Sequence, residues 1–181
     1  MRLRTLIRLW LWTTLMAIAA LAVLIVIDGR LKAATGFGTA DLQKLSNAAQ
    51  YDAVFGAWTL RQHAAAAGFA LGFDYLFMPL YATAFYFSGI LAREAFAPKR
   101  GSFRRLIDYL GFVPLIGAVA DATENALEYS MLAAAKADDG TAYSAFIATN
   151  VKWSCIAVGM VLLVAAIAGV IKLQLPKKEV A

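Results

Sequence analysis

The sequence predicts an all-α fold: an integral membrane bundle of four transmembrane helices, with an additional amphipathic helix in the outer loop between helices 1 and 2. Three observations lead there. The 181 residues are 61% hydrophobic and 16% charged, with a mean hydropathy of +0.66, which is more apolar surface than a soluble domain of this size hides. Four apolar runs approach the ~20 residues that a bilayer core about 30 Å thick requires. Lys and Arg concentrate on alternate connections between those runs. The length suits a single membrane domain, 1–181.

The first span covers residues 9–27 and follows a basic start, "MRLRTLIR". Its apolar stretch continues through Val23 to Ile27, longer than the roughly 7–15 residues of a secretory signal, so it reads as a retained helix. Trp10 and Trp12 fall at one interface, as belt tryptophans do. The outer loop, 28–63, is the one sizeable piece beyond the spans. After Gly36 and Gly38, "TADLQKLSNAAQYDAVFGAW" sets Leu42, Leu45, Ala49, Phe55 and Trp58 at mostly helical spacing, with Thr39 as cap. This predicts an amphipathic helix on the outer face of the bundle or along the interface, either as packing or as a lid over a site below. Trp58 reads as a belt residue.

The second span, 64–91, carries Asp74, Pro79 and Tyr81, and its Gly68 and Gly72 match the small-xxx-small pattern of close helix contact. Residues 92–105 form a basic cytoplasmic loop, "REAFAPKRGSFRR" within it, which reads as a topology determinant. The third span, 106–133, contains Pro114 and "DATENALEY"; the fourth, 144–171, contains Thr149, Lys152 and Cys155, and Pro176 closes it. The amino terminus, the middle loop and the tail together hold eleven Lys and Arg (Arg2, Arg4, Arg8, Arg93, Lys99, Arg100, Arg104, Arg105, Lys172, Lys177, Lys178). The other side holds five: Arg30, Lys32, Lys44, Arg61 and Lys136. By the positive-inside rule both termini and the middle loop are cytoplasmic, and the basic start suits a bacterial inner membrane.

Composition also excludes classes of function. The net charge of +5 has no basic stripe interleaved with aromatics, so nucleic acid is not an expected partner; membrane lipids are. One cysteine forbids an internal disulfide, and a single histidine, His63, leaves zinc or haem without the usual ligands. No metal or cofactor is expected.

The polar residues inside the spans carry the functional reading. Asp121, Glu124, Asn125 and Glu128 are spaced i, i+3, i+4 and i+7, within about a 100° arc of one helix face. The stripe climbs from mid-membrane at Asp121 toward the outer surface at Glu128. Asp74, Glu124 and Lys152 each lie about 12–15 Å below the outer ends of their spans, at 1.5 Å per residue. A charge at the centre of a span costs roughly 2.5–3.5 kcal/mol or more, so these groups are expected to face one another, with Lys152 as partner of Asp74 and Glu124 and with Tyr81 on the face of Asp74. Asp74, Asp121 and Glu124 against Lys152 leave a formal charge of −2 if all ionise, which a purely structural pair would not need. Helix number and intramembrane acids resemble the sterol-isomerase and sigma-2-receptor type of four-helix fold at that level only; no motif of that family falls on these residues, and no family is assigned.

The expected function is therefore a pocket of Asp74, Asp121, Glu124, Asn125, Lys152, Glu128 and Tyr81 that binds or moves a small amphipathic or cationic ligand, a lipid headgroup or protons. One alternative is an accessory membrane subunit whose polar network fixes helix packing. Another is a lipid-modifying enzyme using a carboxylate as acid or base, although Ser154 and Cys155 have no histidine in reach and no residue is assigned a catalytic role.

Overall fold

The computed structural model describes residues 2–97 and 101–174, and every described element is helical. Helix α1 spans Leu3–Thr35, a 3-10 helix Thr39–Lys44, α2 Ala48–Leu60, α3 Ala64–Phe96, α4 Ser102–Ala134 and α5 Asp139–Gln174. Lys99, Arg100, Pro176, Lys177 and Lys178, which entered the charge count and the helix ending above, lie outside the described residues.

Four of these helices, α1, α3, α4 and α5, are long and apolar enough to cross a membrane. With 33 to 36 residues they outrun the 19 to 28 read from hydropathy. The extra turns are the polar flanks: helix continues while neighbours hold it, whatever the hydropathy. The partition of side chains suits a bilayer. Val119 and Val161 are 68% and 69% exposed, whereas Asp121, Glu124 and Lys152 are 2%, 1% and 3% exposed. Apolar groups face outward and ionisable groups inward, the arrangement lipid favours and water does not.

Helices α3, α4 and α5 pack on one another, and α1 lies along α3. Close approach depends on glycines other than those the sequence pattern singled out. A Cβ on Gly117 would sit 2.7 Å from Cys155 Cβ, and one on Gly89 would sit 3.0 Å from Gly111 Cα, whereas one on Gly72 would meet nothing within 4 Å. Gly117 thus lets α5 come against α4 one turn from Asp121. Both α3 and α4 run through their prolines, Pro79 and Pro114.

At the end where α1 turns into α2, the chain differs from the single capped helix expected from Thr39. Gly36 stops α1 in the left-handed region, φ 91°, with its N–H on Lys32 O. Asp28 then accepts from Thr39 Oγ1 at 3.0 Å and Ala40 N at 2.9 Å, and Asp41 accepts from Gly38 N and pairs with Lys32, both at 3.0 Å. These bonds pin the first turn to α1 as a 3-10 helix. Leu45 is extended, and Asn47 rather than Thr39 caps α2, accepting from Gln50 N at 3.1 Å.

Helix α2 packs one face on the bundle. Its Tyr51, Val54, Phe55 and Trp58 are buried in one cluster with Leu31 of α1, Ala67 and Leu71 of α3, Met131 of α4 and Ala142 and Ala145 of α5. It plugs this end of the bundle. Two carboxylates hold it there: Asp139 accepts from Ala48 N and Asp52 from Ala137 N, each at 2.8 Å.

Two tryptophans depart from the belt role. Trp58 is fully buried and donates to Phe37 O at 3.0 Å, and Trp10 is buried and donates to Ser88 Oγ at 2.9 Å. An indole N–H that finds a partner inside the bundle has no reason to seek the headgroups. Trp12, one of the original pair, is 66% exposed. At the opposite end Arg93 Nη1 pairs with Asp108 at 2.6 Å, while Glu94 accepts from Arg93 and Arg104 at 2.8 and 2.9 Å, joining α3 to the start of α4.

Candidate functional site

The i, i+3, i+4, i+7 stripe of α4 faces the bundle interior as its spacing requires: Asp121, Glu124, Asn125 and Glu128 are all buried. Lys152 of α5, buried between two of them, places Nζ 3.2 Å from Asp121 Oδ1 and 2.6 Å from Glu124 Oε2. Tyr81 of α3 donates to the other Asp121 oxygen at 3.0 Å. Thr149, one turn before Lys152, turns its hydroxyl back to Ala145 O, and Asn150 points away and bonds Phe146 O.

One pairing differs from expectation, for Asp121 rather than Asp74 shares Lys152 with Glu124. Asp74 makes no ion pair with Lys152; its Oδ2 accepts from Asn125 Nδ2 at 2.8 Å. The same amide nitrogen reaches Leu71 O at 3.3 Å, which fixes the orientation of the Asn125 side chain. The reason is the angular position of Asp74. It faces the next turn of the α4 stripe, where Asn125 stands, and the two α4 acids nearer Lys152 occupy the ammonium. Tyr81, seven residues on, bonds Asp121 rather than supporting Asp74.

Glu128, at the end of the stripe, is 1% exposed. Tyr51 of α2 covers it and donates to Oε1 at 3.2 Å. Burial first, and then the Glu128 carboxyl, hold the Tyr51 phenol above its usual pKa, so it remains a donor. Nothing near Tyr51 in sequence announces this contact, which joins residues 77 apart.

Beside the cluster lies a cavity of about 270 Å³. Its polar side is Asp74, Asp121, Glu124, Asn125, Glu128 and Lys152. Leu21, Leu24 and Ile25 of α1, with Phe77 and Ile156, form an apolar side, and Asp28, Thr39, Ala40 and Gln43 form a roof. Gln43 Oε1 accepts from Trp153 Nε1 at 3.1 Å, tying the roof to α5. Toward the termini Leu6 and Trp10 share a cluster with Leu91 and Ala166, which closes the space between α1 and α5 below the cavity. The apolar side and the roof were not legible as site residues, because a leucine in a span carries no mark of whether it faces lipid or a cavity.

Four carboxyls and one ammonium give this wall a formal charge of −3 if all ionise, one more negative than the three acids first counted. Such a surface suits a cation or a hydrogen-bond donor. Among the described residues no three His, Cys, Asp or Glu side chains converge on a metal-sized site. No protein-family model, curated protein or solved structure matches the chain.

Proposed function

We propose that the chain is a multi-pass protein of a bacterial inner membrane, with both termini cytoplasmic, and that its cavity binds or moves a small amphipathic or cationic ligand. One observation carries the reading: the cavity has an acid-rich side served by a single ammonium and an apolar side supplied by α1. Ligand sites combine a mostly apolar lining with a few convergent polar groups in this way. Its volume, near the lower end of ligand pockets, suits a headgroup or small molecule. Placing the plugged end outside follows the Lys and Arg asymmetry, and labelling of single cysteines at residues 61 and 104 by a membrane-impermeant reagent tests it.

The ion pairs of Lys152 favour a second reading, in which the network only fixes helix packing. Native mass spectrometry of wild type and Glu124→Gln separates the two. A small-molecule adduct present on wild type and lost from a variant of unchanged thermal midpoint supports ligand binding. An adduct-free wild type whose variant merely loses stability moves the function to the structural role.

A further inference from the structure

We propose that the occupant of the cavity is a single-chain alkylammonium, a protonated amine on an apolar tail, whose nitrogen donates to Asp74 and whose tail lies in the seam between α1 and α5. This rests on the ligand-binding reading and names its ligand class.

The four carboxyls of the site are not equivalent. Asp121 is bonded by Lys152 and Tyr81, Glu124 is paired with Lys152, and Glu128 accepts from Tyr51. Asp74 accepts from Asn125 through Oδ2 alone, and its Oδ1 takes no hydrogen bond among the described residues. It is also the one carboxyl of the four that is half-buried rather than buried while lining the cavity. A carboxylate oxygen in a low-dielectric space without a donor is an acceptor waiting for one, and a cationic donor makes the strongest bond there. Beside it, Asn125 spends its amide nitrogen on Leu71 O and Asp74, which leaves its carbonyl oxygen as a second acceptor. Two adjacent acceptors call for a nitrogen bearing more than one N–H. A quaternary ammonium has none.

The route to Asp74 selects an apolar tail. At the plugged end Leu42, Tyr51 and Trp58 are fully buried, and in the roof Asp28 accepts from Thr39 and Ala40 N, and Gln43 from Trp153. Leu21 and Ile25, in contrast, belong to the cavity wall and are 41% and 62% exposed, so the wall runs continuously onto the surface that faces lipid. A ligand dissolved in the bilayer reaches the acid through this seam, and a small water-soluble amine does not.

The test uses protein in nanodiscs of a zwitterionic lipid at neutral pH, titrated with dodecylammonium, dodecyltrimethylammonium, dodecanol and methylammonium. Saturable binding of dodecylammonium is expected. Binding of the trimethyl and alcohol analogues to wild type, and of dodecylammonium to Asp74→Asn, should be weaker by roughly 10- to 100-fold, the worth of one charge-assisted hydrogen bond. Methylammonium should not saturate. Equal affinity of the amine and trimethyl compounds for wild type overturns the proposal without recourse to a variant, as does dodecylammonium binding unchanged in Asp74→Asn. If none of the four binds while the native mass spectrum retains its adduct, the ligand class falls and the binding reading survives. If neither is seen, both fall.

Discussion

Replacing Lys152 with methionine keeps an unbranched side chain and removes the ammonium held 3.2 Å from Asp121 and 2.6 Å from Glu124. On sequence grounds a functional charge cluster, held at a cost in stability, predicts a variant at least as stable as wild type. The geometry argues the reverse. Removing one partner of a buried ion pair costs about 3–5 kcal/mol because the other charge is left uncompensated. Here two carboxyls, 2% and 1% exposed, lose the same partner. At about 2–4 °C per kcal/mol for a chain this long, a deficit of ~4 kcal/mol lowers the thermal midpoint at pH 7 by about 8–16 °C. The assay is circular dichroism melting of wild type and variant in one detergent at pH 7. An equal midpoint would refute the reasoning.

Tyr51→Phe removes the donor to Glu128 and should lower stability by about 1–3 kcal/mol, most of it abolished in a Glu128→Leu background; additive losses would mean that the contact is incidental. Gly117→Ala drives a Cβ against Cys155 and should cost about 1–3 kcal/mol, whereas Gly72→Ala meets nothing and should be neutral or slightly stabilising, both read by melting. Burial raises the pKa of Asp41, but the Gly38 N–H and the Lys32 and Lys44 ammoniums outweigh it and hold the group below the ordinary carboxylate value. Its contribution to the roof is thus fully present above the unfolded carboxylate pKa and is lost as pH falls through the lower folded one. Hydrogen exchange across residues 36–44 should accelerate only in that acid range, and Asp41→Asn should remove the step.

The sequence alone determined that the chain is all-helical with four helices long and apolar enough to span a bilayer, because length and hydropathy are local properties of a segment. It also fixed the stripe on α4: a spacing of i, i+3, i+4, i+7 puts four polar groups on one face wherever that helix packs, and lipid forbids that face to look outward. Convergence of Asp121, Glu124 and Lys152 followed from the same cost. The partners were another matter. Whether Asp74 met Lys152 or Asn125 depended on the rotation and rise of α3 against α4, a matter of side-chain packing and of close contacts such as Gly89 on Gly111. The amphipathic pattern of residues 39–58 resolved into a 3-10 turn and a separate helix because Asp28, eleven residues before Thr39, captured its first turn. Trp10 and Trp58 looked like belt residues until Ser88 and Phe37 supplied acceptors from elsewhere in the chain. What the sequence alone settled is which groups lipid cannot tolerate; only the tertiary structure decided which of them satisfy one another, since a hydrogen bond is specified by a few tenths of an ångström between helices that no local pattern encodes. Asp74, which lines the cavity and bonds Asn125 instead of Lys152, is the residue on which that difference falls.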